Sequence, residues 1–462
     1  MKVSKSPEWL EFSLTRCAGA PATVSVHQPT RSDETFAILQ RFASSIKEVH
    51  LRSDVRKVAS LPGLSSLLAT PMPTLELLYL DGPYDDRELI DVPITRDLVP
   101  RLKSLFLMKC IAPLDSTIYT SLRSLTLFKS PWTISYHDFL GLMRECQDLE
   151  FLSLHNGVLD PFTVQVGNVA VGHLPRTDSV VLPRLKTLKL SGHPDVLFHL
   201  LATIHAPQAA EVGLWTSFND SAFRPQVITR LLAPNPERRY PFLSSPRTMS
   251  LTRWGAFHFQ LSLRCGPQGS ARFSIDHRCS QPELDAPDAN LQDDLATVMQ
   301  TFSLAAVDTL EVSGSVDQIS PETWQSAFQA FPSLRTLTLQ GHGTLDAVWA
   351  GLARATAASV ERRGDGGPGA LCCPLLSEVA TDTDPDSRLK FSATQTLFEV
   401  VREALSARAE AGGARLEKLK LYLQHPEPRD LRVEASHRPE DAVLKEVSRL
   451  VGELDYREFQ PL

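Results

Sequence analysis

Nothing in the 462 residues approaches the run of about 18 apolar residues that a membrane helix needs. The opening MKVSKSPEWLEF also lacks an apolar stretch of signal-peptide length. The seven cysteines, at 17, 110, 146, 265, 279, 372 and 373, are odd in number and have no metal-ligand spacing. That argues against a disulfide framework and reads as the buried thiols of a soluble intracellular protein, cytoplasmic or nuclear. A basic excess is missing too: the net charge of −7 provides no general reason to expect nucleic acid as a partner. GxSxG, HExxH and the phosphate-binding GxxxxGKS or GxxxxGKT are all absent. The reading is therefore of a protein that is not an enzyme. An unrecognised hydrolase stays as a remote alternative, because catalytic triads assemble from distant segments.

What the chain has is a recurring hexamer, apolar-x-x-apolar-x-apolar. Clear copies begin at Leu75 (LELLYL), Leu102 (LKSLFL), Leu122 (LRSLTL), Leu149 (LEFLSL), Leu185 (LKTLKL), Leu334 (LRTLTL) and Leu416 (LEKLKL). Weaker copies begin at Ile46, Ala209, Pro246, Val307 and Leu376 and fill the gaps between them. The shortest spacings match a leucine-rich unit of about 20–29 residues, and the longer ones imply insertions. In a strand, side chains alternate between faces, so the fourth and sixth positions of each hexamer share one face, and the first turns inward from the bend before it. Parallel neighbours require a crossover between copies. Segments of helical period supply it: TFAILQRFA, HDFLGLMREC, VLFHLLATIHA, LQDDLATVMQTF, ETWQSAFQAF, LDAVWAGLARA and TLFEVVREAL. Ser320-Pro321-Glu322 and Ser6-Pro7-Glu8 are helix-start signals. The fold class expected is α/β, a leucine-rich-repeat-like solenoid with a curved parallel sheet and helices on its convex side.

Three regions interrupt the rhythm. Residues 257–277 alternate as Phe257, Phe259, Leu261 and Leu263, then GPQGS, then Phe273 and Ile275, which predicts an inserted hairpin. Residues 161–184 read as a long insertion, and ERRGDGGPGA at 361–370 as a loop. Expected boundaries are an N-terminal capping helix and strand over 1–45, the irregular solenoid over 46–424 with insertions near 161–184, 256–290 and 360–370, and a C-terminal cap over 425–462.

Several local patterns mimic ligand sites. Gly364, Gly366 and Gly369 spell GxGxxG, but no strand leads into them and Pro368 interrupts the motif. Asp382, Asp384 and Asp386 resemble the start of a calcium loop, yet Ser387 and Ala393 stand where Gly and Glu are needed. His193, His199 and His205 fall on no common helix face and read as structural or surface histidines. Cys265 with Cys279, and Cys372 with Cys373, lack partners for zinc. No cofactor and no metal is expected.

With PRLKSLFL, TSLRSLTL, PRLKTLKL and PSLRTLTL as its most specific parts, the chain resembles the fungal F-box-type leucine-rich-repeat proteins. EWLEFSLTRCAGAPATVSVH looks like the helix and cap strand that follow the F-box in that family. The resemblance covers the repeat domain, since no F-box is recognisable ahead of Trp9. It implies a substrate-recognition subunit of a ubiquitin ligase, with the ligase adaptor as a partner only if an F-box lies upstream. The alternative is a stand-alone inhibitor or regulatory binding protein.

The third, fifth and seventh positions of each unit face away from the core and predict a concave partner surface. Early units place Leu77, Tyr79, Phe106, Met108, Phe128, Phe151, His155 and Trp215 there. Later units place Thr248, Ser250, Thr252, Thr309, Glu311, Thr336, Thr338 and Gln340. The aromatic group is the expected site for a protein or peptide partner, unless the chain covers it or its rings stack only on neighbouring strands.

Overall fold

The computed structural model describes residues 2–3, 6–27, 32–52, 62–82, 89–155, 158–159, 162, 179–217, 228, 231–232, 236–255, 258–278, 291–302, 304–364, 371–381, 397–424 and 441–459. It is a mixed α/β structure dominated by parallel strands and falls into two compact units, Met1–Trp215 and Thr216–Leu462.

In the first unit the main sheet contains β1 (Lys2–Val3), β2 (Ala22–His27), β3 (Ile46–Arg52), β4 (Leu77–Asp81), β5 (Ser104–Met108), β6 (Ser124–Phe128), β7 (Phe151–His155), β8 (Thr187–Ser191) and the first five residues of β9 (Glu211–Ser217). Each is hydrogen-bonded in parallel to the next in chain order. Register aligns the hexamers position by position. Val49, Leu78, Leu105, Leu125, Leu152, Leu188 and Val212 form one buried row. Leu51, Leu80, Leu107, Leu127, Leu154, Leu190 and Leu214 form a second. The first-position residues Ile46, Leu75, Leu102, Leu122, Leu149, Leu185 and Ala209 are buried beside them. Each large residue in these rows contributes about 1.5–3 kcal/mol on burial, an upper estimate that becomes available only when the next strand covers it.

The connections contain α1 (Pro7–Arg16), α2 (Ser32–Arg41), α3 (Pro62–Leu68), α4 (Tyr136–Glu145) and α5 (Pro194–Thr203). Their starts follow side-chain chemistry. Ser6 accepts from the Trp9 amide and Ser135 from the Asp138 amide, while His193 Nδ1 accepts from the Asp195 amide at 3.3 Å. His193 is thus a cap and His199 lies buried in α5, both structural.

The second unit contains β10 (Pro246–Trp254), β11 (His258–Cys265), β12 (Ala271–Arg278), β13 (Thr309–Ser315), β14 (Thr336–His342), β15 (Glu378–Thr381), β16 (Leu416–Gln424) and β17 (Val451–Phe459). Among the described residues its helices include α6 (Leu291–Thr301), α7 (Pro321–Ala330), α8 (Asp346–Gly364), α9 (Leu397–Glu410) and α10 (Asp441–Leu450). The 61-residue spacing from Pro246 to Val307 is bridged by the expected hairpin. β11 pairs antiparallel with both β10 and β12, and β13 takes the other edge of β10 in parallel. Phe259, Leu261, Leu263, Phe273 and Ile275 are all buried. From β13 the parallel ladder runs through β14, β15 and β16 to β17. β17 is a further copy of the unit, Val451, Leu454 and Tyr456, aligned with Leu416, Leu419 and Leu421.

At Gly314 and Gly341 strands approach too closely for a side chain. A Cβ on Gly314 would run into the Arg253 carbonyl and one on Gly341 into that of Gly314, and both glycines have φ above +100°. Arg408 of α9 is buried, and its guanidinium donates to the carbonyls of Cys373 at 2.8 Å, Ala414 at 3.2 Å and Cys372 at 3.3 Å. It satisfies carbonyls of a turn that would otherwise face the core without a donor. Most of the 161–184 insertion, Phe257, Cys279, Gly366, Gly369 and the aspartates at 382, 384 and 386 lie outside the described residues.

Candidate functional site

On the first unit's sheet, the face opposite the leucine rows presents the third, fifth and seventh positions of the hexamers. All eight residues expected to form a partner surface lie on it, and all are half-buried. Register sorts them. Leu77 and Phe151 occupy the row nearest the strand starts, separated by Ser104 and Ser124. Tyr79 and Phe106 are neighbours in the middle row, and Met108, Phe128 and His155 follow one another in the last. Trp215 ends that row beyond Ser191.

The rings touch in two groups. His50, Tyr79 and Phe106 make the first, with 5.7 Å between the His50 and Tyr79 centroids and 4.1 Å between those of Tyr79 and Phe106, whose planes differ by 8°. Phe128, His155 and Trp215 make the second, with centroid separations of 6.0 and 5.0 Å. His155 and Trp215 are two strands apart, a backbone separation of roughly 9–10 Å. They meet because Ser191, the residue between them, is too small to keep the rings apart. Both ideas about these rings therefore hold in part: they stack on neighbouring strands and remain half-exposed.

Charge frames the strip. Lys189 stands 5.9 Å from the Phe151 ring and pairs with Glu211 at 3.0 Å, and Arg52 pairs with Asp81 at 3.4 Å. Burial beside the rings, reinforced by Lys189, pulls the His155 imidazole down to about 4, so it is neutral at ordinary pH. Burial and the Asp81 carboxylate push the Tyr79 hydroxyl up. At the strand entrances Glu76 lies between Lys103 at 3.3 Å and Lys47 at 3.6 Å, and Glu150 holds Lys186 at 2.6 Å. These lysines keep both carboxyls below the usual range.

Three members of the site were missed in the sequence reading. His50 sits at the fifth position of the weak copy IKEVHL, a register signal that was available. Lys189 and Ser191 occupy face positions of PRLKTLKLS, but their roles depend on which strands adjoin them. In the second unit the corresponding face is polar, as expected: Thr248, Thr309 and Thr336 align, as do Ser250, Glu311 and Thr338.

Cys110, Cys146 and Cys265 are buried, which pushes each thiol up to about 12 and keeps it protonated. Among the described residues no three His, Cys, Asp or Glu side chains gather as a metal site, and no helix is long and apolar enough to cross a membrane. No protein-family model matches the chain, and no curated protein matches it.

Proposed function

We propose that the protein is an interaction scaffold, a leucine-rich-repeat-like solenoid that captures a protein or peptide partner on the aromatic strip of its first unit. The observation carrying this reading is the strip itself. Strand faces turned away from a core ordinarily carry polar side chains, as those of the second unit do, whereas here Tyr79, Phe106, Met108, Phe128 and Trp215 stay half-exposed in register. Parallel strands in chain order, each supplying the same buried positions, support the solenoid part of the reading. Following the family resemblance, the scaffold would serve as the recognition subunit of a ubiquitin ligase.

The test is the combined substitution Tyr79→Ser, Phe106→Ser and Phe128→Ser. It is expected to abolish capture of the partner set retained by the unaltered chain while lowering the melting temperature by only a few degrees. Unaltered capture, or collapse of the fold, would count against the strip. A pull-down with the ligase adaptor separates the ligase role, which needs a complex, from that of a stand-alone regulator, which needs none.

A further inference from the structure

The outward face of the second unit's sheet divides in two. Over β15–β17 it has the cross-strand pairs of an ordinary solvated face: Lys420 with Glu378 at 2.9 Å, Lys418 with Glu453 at 3.3 Å, and Tyr422 donating to Asp455 at 2.6 Å. Over the hairpin the chemistry changes. Register sets Ser250, Ser262 and Ser274 in one row across β10, β11 and β12, and Thr252, Gln260 and Asp276 in the next. Among the described residues the three serines, Thr252 and Gln260 make no side-chain hydrogen bond. Ser313 of β13 stands beside Thr252 in the same row, and alternation from Thr309 and Glu311 turns its side chain to this face. It is only 5% exposed, and its hydroxyl has no hydrogen-bond partner among the described residues. A buried hydroxyl left unpaired is destabilising, so its presence points to a polar group that arrives from outside the chain.

An aromatic ring and two cations mark the ends of this face. Trp254, the last residue of β10, lies opposite His258 and is 49% exposed. At the other end Arg264 and Arg272 stand directly opposite each other on β11 and β12, and both are exposed. Like charges so placed are destabilising, and neither guanidinium has a carboxylate partner among the described residues. Asp276, the hairpin's own carboxylate on this face, is held by Arg278 at 3.1 Å and lies 3.4 Å from His258. Glu311 stands on β13, two strands from Arg264. A chain with a net charge of −7 thus presents a locally basic face lined with unengaged hydroxyls.

We propose that this face, separate from the aromatic strip and independent of the capture reading, binds a polyuronate, an extended oligosaccharide with one carboxylate on each ring. Trp254 stacks on the apolar face of one pyranose ring, and the serines, Ser313 and Gln260 exchange hydrogen bonds with ring hydroxyls. Arg264 and Arg272 receive carboxylates, for which the guanidinium fork is suited. From Trp254 to Thr248, the β10 neighbour of Arg264, the strand runs about 20 Å, enough for several rings. Two unpaired cations match one charge per ring and not a heavily sulfated chain. An acidic peptide is the poorer fit, because the face offers one exposed ring as an anchor and otherwise hydroxyls. RNA is poorer still: successive bases need successive rings, and Asp276 and Glu311 would repel its phosphates.

An oligosaccharide array probed with the full chain tests the assignment. Oligogalacturonates should be retained in preference to neutral cello-oligosaccharides of equal length, with affinity falling as salt is raised. The Arg264→Gln, Arg272→Gln variant and Trp254→Ala should each bind oligogalacturonate about tenfold more weakly, and Ser313→Ala roughly threefold to tenfold more weakly. The melting temperatures of the arginine variant and of Ser313→Ala should be unchanged or higher, because a repulsion or an unpaired hydroxyl is removed. That separates lost recognition from lost structure. Binding should persist in the Tyr79→Ser, Phe106→Ser, Phe128→Ser variant, so this face and the strip stand or fall separately. Equal retention of neutral chains, stronger retention of heparin, or no retention of any oligosaccharide overturns the proposal. So does affinity indifferent to the arginine or Trp254 substitutions. Displacement of bound oligogalacturonate by polyglutamate or oligouridylate at lower concentration than by free oligogalacturonate overturns it in favour of a peptide or of RNA.

Discussion

Tyr79 and Phe106 face each other across neighbouring parallel strands with centroids 4.1 Å apart and planes within 8°. The pair is the tightest ring contact in the strip, so part of each ring contributes to the fold and only the remainder is open to a partner. A double-mutant cycle of Tyr79→Ala and Phe106→Ala, read by urea unfolding, is expected to return a coupling of about 0.5–1.5 kcal/mol. A coupling indistinguishable from zero would mean that the stacking is not maintained in solution.

His155 ties stability to pH. Its folded pKa of about 4 lies below the ordinary histidine value of 6.5, chiefly because the ring is buried and secondarily because Lys189 is near. The native state therefore binds this proton more weakly than the unfolded chain does. Stability from the neutral ring is fully present above about pH 6.5, is lost as pH falls towards 4, and levels off below that. The ring is partly exposed, so the loss is discounted to roughly 1–2 kcal/mol. Unfolding of the unaltered chain and of His155→Phe, compared from pH 4 to 7, should show the difference between them growing towards neutrality. Parallel pH profiles would show that His155 titrates normally.

Much of this could be read along the chain because the hexamer encodes its own register. Leu105 and Leu107 fall opposite Leu125 and Leu127, as the identical spacing of PRLKSLFL and TSLRSLTL demands, and face positions follow by alternation. The last copy escaped notice because VGELDY offers Gly452 and Asp455 between its apolar residues, and its pairing with β16 is set by contacts rather than by leucines. The length of α8 was underestimated for a related reason. Thr356 and Ser359 are weak helix formers, but their hydroxyls donate back to the carbonyls of Leu352 and Ala355, and Ser359 also accepts from the Cys372 amide. What joins non-adjacent strands was not legible. The meeting of His155 with Trp215 over Ser191 depends on three strands whose order is known only once the chain is folded.

The second unit's buried ion pair shows the same dependence on tertiary context. Arg253 on β10 and Asp294 on α6 are both buried, and the guanidinium holds the carboxylate with two hydrogen bonds, that from Nη2 to Oδ1 at 2.8 Å. The same guanidinium lies 5.4 Å from the Phe259 ring. Burial pushes the Asp294 carboxyl up, and Arg253 opposes that shift. For a buried ion pair the desolvation of both charges offsets much of their attraction, so the intact pair is expected to add little net stability, while breaking it leaves one charge without compensation. Asp294→Asn is expected to cost about 3–5 kcal/mol because Arg253 stays buried and charged. Arg253→Met with Asp294→Leu removes both charges at similar volume and should recover most of that loss. Denaturant midpoints of the single and double variants decide the matter. If the double variant is as unstable as the single one, the pair's attraction exceeds its desolvation cost, and it contributes to stability beyond what apolar packing could supply.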